Sequence, residues 1–238
     1  MGAAYTRQVL FRRKPIPLPP GRFRMGGAHF KDDAEFIRTA VADVERLQAR
    51  AGLTKRSTLL DWGCGAGRLA VGVKHRWGHV RDYHVVDVQP KVLGWAKRNL
   101  SDKHTRFTLV DVANARYNPD GSLQRHIPAE PDSIDVFYAY SVWSHMTPDD
   151  VAGYAEIIAR ILKPTGRAML TAFVEDDVPD WSENPEGYGP LEWRKPLHCA
   201  RFERGYFYRI LDEAGLRVVD TDHGTETDGQ SLFILARR

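Results

Sequence analysis

The feature that most constrains the fold is an apolar stretch that ends in an acid and continues through three alternating glycines. Residues Leu59 to Leu69 read LLDWGCGAGRL. This pattern is typical of a strand, a tight turn and a helix. The first glycine permits the turn, the second lets a ligand approach the backbone, and the third lets helix and strand pack closely. A purely structural strand-to-helix turn would use the same residues, so residues further along the chain must decide whether this turn binds a ligand.

The spacing of these glycines argues against a nicotinamide dinucleotide as the ligand. Dinucleotide-binding turns follow the pattern G-x-G-x-x-G, which brings the pyrophosphate to the helix N-terminus. In this chain Gly67 comes one residue early, and Arg68 stands where the last glycine should be. The sequence also lacks a recognisable Tyr-x-x-x-Lys pair. A nicotinamide dehydrogenase is therefore disfavoured.

Two further predicted strands end in an acid at the same edge of the sheet. Asp87 closes the segment Tyr83 to Asp87, about 20 residues beyond the last glycine, where a carboxylate can accept hydrogen bonds from both ribose hydroxyls of an adenosine cofactor. Asp111 follows the next apolar segment and could accept a hydrogen bond from an adenine amino group. In isolation, Asp87 could equally cap a helix or stabilise a turn. Three such strands together suit a ligand with ribose, adenine and ammonium groups and no phosphates.

These motifs resemble the cofactor motifs of class I S-adenosylmethionine-dependent methyltransferases. The resemblance rests on Leu59 to Leu69, Val85 to Val88 and Asp111 to Val112, extends over roughly residues 57–238, and implies S-adenosyl-L-methionine as cofactor. By this similarity Asp61 lies near the methionine ammonium, Asp87 holds the ribose, and Asp111 with Val112 frames the adenine. The other residues that the similarity places along the cofactor are Gly63, Gly65, Gly67, Arg68, Val88 and Tyr140.

The alternation of strand and helix patterns predicts an α/β fold with a parallel sheet and helices on both faces. The predicted strands are Thr58 to Asp61, Tyr83 to Asp87, Arg106 to Val110, Ile134 to Ala139 and Gly166 to Phe173, and the intervening helices are Arg68 to Trp77, Lys91 to Leu100 and Asp149 to Leu162. After a helix over Glu203 to Glu213, the strands Leu216 to Thr221 and Ser231 to Ala236 follow without a helix between them, which predicts antiparallel pairing. The resemblance implies the same Rossmann-like arrangement, a seven-stranded mostly parallel sheet with the last strand antiparallel. The segment Tyr117 to Pro131 is assigned no element.

The chain is expected to form one catalytic domain preceded by a helical arm. Residues 1–56 form the predicted arm and helix, a lid or cap, and residues 57–238 form the cofactor-binding domain with a substrate loop at about residues 174–201. Four prolines within Lys14 to Gly21 favour extended backbone, and a helix follows between Asp32 or Asp33 and Gly52. A chain of 238 residues that is 42% hydrophobic fits one domain with small appendages.

The segment after the fourth strand is expected to lie over the reactive end of the cofactor. It reads FYAYSVWSHM from Phe137 to Met146 and lacks the Asn/Asp-Pro-Pro-Tyr segment of enzymes that methylate base amines or glutamine amides. It is similar instead to the Ser-Val-Phe-Ser/Thr-His segment of many small-molecule methyltransferases. His145 could remove a hydroxyl proton as the oxygen attacks the methyl group. Alternatively, His145 caps or supports the helix that begins near Thr147.

Aromatic residues concentrate in the arm and in the substrate loop. The arm offers Phe23, Arg24, Met25, Gly26, Gly27, His29 and Phe30, and the loop offers Trp181, Tyr188, Trp193, His198 and Phe202. The predicted substrate-binding residues are Arg24, Trp143, Tyr188 and Trp193. Aromatic side chains can stack on the apolar faces of sugars, although loop packing or a homodimer contact would explain the same residues.

No metal site is expected. Glu175, Asp176 and Asp177 with nearby histidines could hold magnesium, but a solvated acidic loop is the favoured interpretation. Cys64 and Cys199 are far apart and outside any C-x-x-C motif, which indicates reduced thiols.

Charge and hydropathy predict a soluble cytoplasmic protein. With 34 Lys and Arg against 31 Asp and Glu, and one basic cluster at Arg12 to Lys14, the chain does not favour nucleic acid. The start, Met1 to Leu10, lacks the apolar core of a signal peptide, and no run approaches the roughly 20 apolar residues of a membrane span.

The sequence therefore predicts a small-molecule O-methyltransferase with a sugar or glycoside hydroxyl as acceptor. His145 suits a weakly acidic alcohol, and the arm and the Trp143 to His145 segment resemble actinobacterial sugar O-methyltransferases. One alternative is an N- or carboxyl-methyltransferase of a small metabolite with the same cofactor site. Another is a non-catalytic cofactor-binding assembly partner, which would retain the same residues.

Overall fold

The computed structural model describes residues 15–25 and 27–238, which form nine strands and five α-helices. The strands are β1 Thr58–Trp62, β2 Asp82–Asp87, β3 Thr105–Leu109, β4 Ile134–Ala139, β5 Leu162–Glu175, β6 Trp181–Glu183, β7 Ala200–Glu203, β8 Leu216–Asp222 and β9 Ser231–Arg237. The helices are α1 Asp33–Ala51, α2 Arg68–Arg76, α3 Pro90–Leu100, α4 Pro148–Ile161 and α5 Arg204–Glu213. The segment Met1 to Leu10, the basic cluster Arg12 to Lys14, and Gly26 lie outside the described residues.

The main sheet has the order β3-β2-β1-β4-β5-β9-β8. The first five strands are parallel, and β9 runs antiparallel to both β5 and β8. This confirms the predicted Rossmann-like fold with an antiparallel last strand. Strand order reverses between β1 and β4, and open α/β sheets bind ligands outside the carboxyl ends of their strands at such a reversal.

The predicted substrate loop contains two short strands. β7 pairs in parallel with the extended end of β5 through Phe173–Arg201, Val174–Phe202 and Glu175–Glu203, and β6 pairs antiparallel with β7. Strands of three and four residues carry too few positions to show an alternating pattern, which is why the sequence predicted only a loop here. The extension holds both ends of the loop against the top of the sheet.

Helices cover both faces of the sheet, as predicted. α1, α2 and α3 pack on one face, with Val44 and Val71 among the buried residues, and α4 and α5 pack on the other around Phe207 and Phe233. α1 packs closely on α2 at Gly72. A Cβ atom there would stand 2.0 Å from the carbonyl oxygen of Ala40, so the absence of a side chain permits the contact. The predicted division of the chain at residue 56 stays a prediction.

The connection that follows β3 folds back on the end of that strand. The amide of Ala113 donates to the carbonyl of Ser122 at 2.7 Å, and Asn114 and Asn118 form an isolated bridge. The unassigned segment Tyr117 to Pro131 is thereby tied to the sheet edge where a ligand would lie. None of the described helices has the length and apolar character needed to cross a membrane.

Candidate active site

A cavity of about 510 Å³ opens at the carboxyl ends of β1, β2 and β4. Its volume lies within the range of roughly 300 to 1,000 Å³ that small-molecule sites occupy. The glycine-rich turn, the strand ends, the arm, the connection after β3 and the substrate loop all contribute to its wall. The cavity therefore lies at the reversal of strand order, where the fold places a ligand.

The glycine-rich turn leaves open space beside its backbone. Gly63 has φ of 75°, and a Cβ atom there would lie 2.4 Å from Cγ2 of Val142, so only glycine lets the segment after β4 approach. A Cβ atom at Gly65, with φ of 54°, would meet no atom within 4 Å, and Gly65 lines the cavity. Gly67 does not line the cavity; its Cα faces α3, where a Cβ atom would stand 2.9 Å from Cδ1 of Leu100.

Asp87 is fixed by the turn that it faces. Its Oδ2 accepts a hydrogen bond from the amide of Gly65 at 2.7 Å, and its Oδ1 accepts one from the amide of Gln89 at 2.8 Å. Burial raises the pKa of this carboxyl above its ordinary value, and the Gln89 and Gly65 amides oppose that rise. Each oxygen keeps a second lone pair for a ligand hydroxyl. Val88 lines the cavity next to it.

Asp61 is a nearly inaccessible acid at the end of β1, with 2% of its surface exposed. Its Oδ2 accepts a hydrogen bond from the hydroxyl of Tyr83 at 2.9 Å. Burial raises the pKa of Asp61 to about 7, against the opposing effects of Tyr83 and Arg68. A cationic ligand group beside this carboxyl would restore its ionised form.

Arg68 is held between protein partners in the cavity wall. Its guanidinium forms an ion pair with Asp43 and lies 5.1 Å from the ring centroid of Phe30 and 4.8 Å from that of Tyr140. Asp43 is buried in α1, where it also pairs with Arg46 at 2.5 Å. Arg68 thus joins the arm, α1 and the end of β4. Sequence reasoning missed Asp43, because it lies within an ordinary amphipathic helix pattern.

Asp111, the predicted contact of adenine, lies outside the cavity wall, and its role stays a prediction. Asp111 is exposed and does not line the cavity, and its Oδ1 accepts a hydrogen bond from Asn118 at 3.1 Å. Val110 and Val112 are buried and do line the cavity. Successive side chains of extended backbone point to opposite sides, so the two valines that face inward turn Asp111 outward.

His145 lies in a 3₁₀ turn, Trp143–His145, between β4 and α4, and lines the cavity. Its Nδ1 is 2.9 Å from the carbonyl oxygen of Leu197, and Tyr117 meets its ring edge-on at a centroid distance of 5.4 Å. Burial, followed by the charge of Arg116, lowers the pKa of His145 to about 4. The ring is therefore neutral at neutral pH. A proton on Nδ1 would be donated to Leu197, which would leave Nε2 as an acceptor.

His145 does not cap the following helix. The N-cap of α4 is Thr147, whose hydroxyl accepts a hydrogen bond from the amide of Asp150 at 3.2 Å, and the Thr147 amide donates in return to the Asp150 carboxylate. The capping alternative for His145 is therefore wrong. The main chain of His145 is instead held by the side-chain amide of Asn114, which donates to its carbonyl oxygen at 2.8 Å.

Two of the predicted substrate-binding residues do not reach the cavity. Trp143 is fully buried against Phe207, because the 3₁₀ turn points its side chain into the core and that of His145 into the cavity. Tyr188 lies outside the wall, and its hydroxyl donates to Glu175 at 2.8 Å. The prediction for Trp143 is therefore wrong, and the one for Tyr188 stays a prediction. Neither residue type reveals from sequence which way its side chain points.

Trp193 does line the cavity and is fixed from behind. Its Nε1 donates to the carbonyl oxygen of Tyr188 at 2.7 Å, and its ring meets Phe173 at 5.5 Å and His198 at 5.1 Å. His198 also lines the cavity, whereas the other two aromatic candidates of the loop, Trp181 and Phe202, do not.

The arm lies over the cavity through Phe23, Met25, Gly27 and Phe30. The side chain of His29 lies outside the described part of the chain. Arg24 also lines the cavity, but its guanidinium is occupied. It donates to the carbonyls of Pro19, Phe30 and Lys31 at 2.7, 3.3 and 3.1 Å and pairs with Asp33 at 2.5 Å. These contacts hold the arm in place and leave Arg24 poorly suited to the predicted role in binding substrate.

The acidic residues of the substrate loop engage protein partners. Asp176 pairs with Arg204 at 2.7 Å, and Glu175 accepts the hydroxyl of Tyr188. Across residues 15–25 and 27–238, no group of three or more His, Cys, Asp or Glu side chains is arranged to hold a metal ion.

The sequence analysis did not identify several polar and aromatic residues of the cavity wall. Asn114, Arg116 and Tyr117 come from the connection after β3, and Asp228 and Gln230 come from the connection between β8 and β9. Neither connection has a periodic pattern. The one available signal was a polar and aromatic cluster placed directly after a strand end, where loops carry function.

Comparison with known proteins identifies the family of this chain. A family model described as a methyltransferase domain matches residues 32–221. A chain of the complex between the Haloferax volcanii Trm112 methyltransferase activator and a putative methyltransferase is 18% identical with a TM-score of 0.59. That match covers 88% of this chain and 96% of the other.

Two further solved structures share the fold. The geranyl diphosphate C-methyltransferase from Streptomyces coelicolor A3(2), in complex with Mg²⁺, geranyl diphosphate and S-adenosyl-L-homocysteine, is 16% identical with a TM-score of 0.59, over 89% of each chain. The mitomycin 7-O-methyltransferase MmcR is 19% identical with a TM-score of 0.57, over 86% of this chain and 57% of that one. Since these proteins differ in the atom that they methylate or in their partners, their likeness establishes the fold and leaves the acceptor open.

Proposed function

The chain belongs to the S-adenosylmethionine-dependent methyltransferases. From the chemistry of its cavity we propose that it methylates a hydroxyl group of a small molecule, with a sugar or glycoside as the acceptor class. S-adenosylmethionine supplies, when bound, a methyl group already activated on a sulfonium sulfur. The protein therefore has to orient the acceptor oxygen, exclude water and receive a proton.

The residues around the glycine-rich turn fit the cofactor. Gly65 leaves open space beside its backbone, Asp87 offers two fixed oxygens for ribose hydroxyls, and Asp61 has a raised pKa that a nearby ammonium would lower. Our proposal accordingly assigns the ribose to Asp87 and the ammonium to Asp61. Gly63, Val88 and Val112 would lie along the same ligand, since all three line the cavity.

The observation that carries the proposed acceptor is the neutral imidazole of His145 in the cavity wall. An attacking hydroxyl must lose its proton, whereas an amine attacks with a free lone pair. With Nδ1 held by Leu197, the Nε2 atom of His145 would take that proton. A pKa of about 4 keeps the ring unprotonated but makes it a weak base, so the alignment of the acceptor would supply much of the rate.

The lining suits a sugar. Aromatic side chains that can stack on a sugar face line the cavity together with polar groups that can bind hydroxyls: Phe30, Tyr117 and Trp193 with His198, Thr227 and Asp228. Met25 of the arm and Leu191 of the loop line the cavity although they are 54% and 47% exposed. We expect these two apolar residues to close over a bound acceptor and exclude water.

We further propose a cytoplasmic location, because Cys64 and Cys199 are buried free thiols. The homodimer and the exclusion of nucleic acid as a partner stay predictions.

The test is a methyl-transfer assay with labelled S-adenosylmethionine and four acceptor classes: glycosides, phenols, primary amines and carboxylic acids. We expect methylation of a hydroxyl acceptor and a loss of at least about 100-fold in kcat for His145→Ala. His75→Ala, at an exposed position of α2, is the matched control. An amine methylated equally well by His145→Ala would establish the N-methyltransferase alternative. Binding of S-adenosylhomocysteine without turnover on any class would favour the non-catalytic alternative.

A further inference from the structure

Arg116 stands in the cavity wall without a counter-ion among the described residues. It lies in the connection after β3 and lines the cavity. Its Nε and Nη1 atoms are covered by protein, yet neither forms a hydrogen bond with any described residue. Its contact is with the ring of Tyr117, whose centroid lies 5.3 Å from the Arg116 Cζ atom. The guanidinium is thus positioned by an aromatic face, and its charge is left unpaired by the described carboxylates.

Other arginines around the cavity differ in this respect. Arg24 pairs with Asp33, and Arg68 pairs with Asp43. Arginine stays protonated in proteins, so it cannot avoid the cost of burial by releasing its proton. A largely covered guanidinium without an anionic partner costs free energy, and such groups call for a ligand that completes them.

The charge of Arg116 acts on two histidines of the cavity wall. After burial, Arg116 is the largest cause that lowers the pKa of both His145 and His198, and Lys195 also lowers the pKa of His198. Asp228 is the acid that opposes this effect at His198. Arg116 and the two histidines line the same cavity, and the histidine rings are neutral at neutral pH, so Arg116 supplies the positive charge at this corner of it.

We propose that Arg116 binds an oxyanion, a carboxylate or a phosphate, that is carried by the acceptor. This inference rests on the proposed function, since it assumes that the acceptor occupies this cavity. The planar fork of a guanidinium matches both oxyanions with two parallel hydrogen bonds. The acceptor is then an acidic sugar, such as a uronate or a sugar phosphate, rather than a neutral glycoside.

The cofactor carries a carboxylate of its own, and that carboxylate belongs elsewhere in the cavity. It shares a carbon atom with the ammonium that we assign to Asp61. Asp61 lies at the end of β1, where Tyr83 and Arg68 act on it. Arg116 instead contacts the ring of Tyr117, and that ring meets the ring of His145, the proposed base, at a centroid distance of 5.4 Å. Arg116 therefore stands on the acceptor side.

The test is isothermal titration of the protein saturated with S-adenosylhomocysteine. The probes are inorganic phosphate, glucuronate and neutral methyl glucoside at low ionic strength. We expect the two anions to bind, Arg116→Gln to weaken both by at least about tenfold, and methyl glucoside to be insensitive to the substitution. Arg209→Gln removes the same charge from an exposed site on α5 and should change nothing. Arg116→Lys keeps the charge without the fork and should give an intermediate affinity, even if Arg116→Gln folds poorly.

Equal anion affinity in wild type and Arg116→Gln would overturn the proposal. So would a comparable loss of S-adenosylhomocysteine affinity in Arg116→Gln, because Arg116 would then hold the cofactor carboxylate. Anion binding that depends on Arg116, without methylation of any hydroxyl acceptor, would support the oxyanion site and overturn the proposed reaction.

Discussion

The Nδ1 atom of His145 lies 2.9 Å from the main-chain carbonyl oxygen of Leu197, 52 residues further along the chain. Leu197 has φ of 45°, a left-handed conformation that costs a non-glycine residue free energy, and its amide donates to Glu183 at 2.7 Å. The substrate loop therefore fixes the orientation of the proposed base through a strained backbone position. Four predictions follow from this site.

The first prediction concerns acid stability. The pKa of His145 is about 4 in the folded protein and about 6.5 in an unfolded chain, so the unfolded state binds more protons between these values. The contribution of His145 to stability is therefore complete above pH 6.5 and is lost as the pH falls toward 4, on the order of 3 kcal/mol in total. In urea unfolding, wild type should lose more stability than His145→Gln between pH 7 and pH 5. The raised pKa of Asp61 makes its contribution to stability grow as the pH falls, opposite to that of His145. This contribution is the same in both proteins and cancels in the comparison. An equal loss in the two proteins would contradict the buried neutral ring.

A second prediction concerns proton release when the cofactor product binds. With a pKa of about 7, Asp61 is largely protonated below neutral pH, and a neighbouring ammonium would lower that pKa. Binding of S-adenosylhomocysteine at pH 6.5 should therefore release part of a proton, and its affinity should fall as the pH drops below 7. Titration calorimetry in two buffers of different ionisation enthalpy measures the release. Asp61→Asn should abolish this proton release. If the variant still released the proton, Asp61 would not be the residue that contacts the ammonium group.

The third prediction separates two glycines of one turn. Gly63→Ala should lower the free energy of unfolding by about 2 kcal/mol or more. Residue 63 has a left-handed conformation, and a Cβ atom there would collide with Val142. Gly65→Ala carries only the left-handed cost of about 1 kcal/mol, but its Cβ atom enters the space beside the turn. It should therefore lower S-adenosylhomocysteine affinity by at least about tenfold. Full affinity in Gly65→Ala would show that no ligand approaches this backbone.

The fourth prediction concerns the ribose. Asp87→Asn keeps one oxygen for a backbone amide but loses the charge, and S-adenosylhomocysteine affinity should fall by about tenfold to a hundredfold. Asp82→Asn, at the start of the same strand with a side chain that is 44% exposed, is the control and should bind normally. Thermal unfolding of both variants separates lost affinity from lost structure. Unchanged affinity in Asp87→Asn would remove this residue from the binding site.

Several elements of the sheet follow directly from short stretches of sequence. The antiparallel pairing of β8 and β9 was predicted from their direct connection, and the strand-turn-helix unit around Gly63 from glycine spacing. These features depend on steric limits and periodicities within about ten neighbouring residues, which the sequence displays in order.

The predicted site residues and the cavity wall differ where the direction of a side chain matters. Trp143 and His145 are two residues apart, yet one lies in the core and the other faces the cavity, because a 3₁₀ turn separates their directions. Asp111 turned outward because Val110 and Val112 turned inward. No local pattern distinguishes these outcomes, since burial decides them.

The sequence by itself determined the fold and the position of Asp61, Gly65 and Asp87 at one edge of the sheet, because each depends on a strand end or a turn encoded locally. Only the tertiary structure decided which distant residues complete the site. Asp43 reaches Arg68 from α1, Leu197 reaches His145 from the substrate loop, and Arg116 remains without a described carboxylate beside it. These relationships join segments far apart in the chain, and they are set by how the helices and loops pack on the sheet.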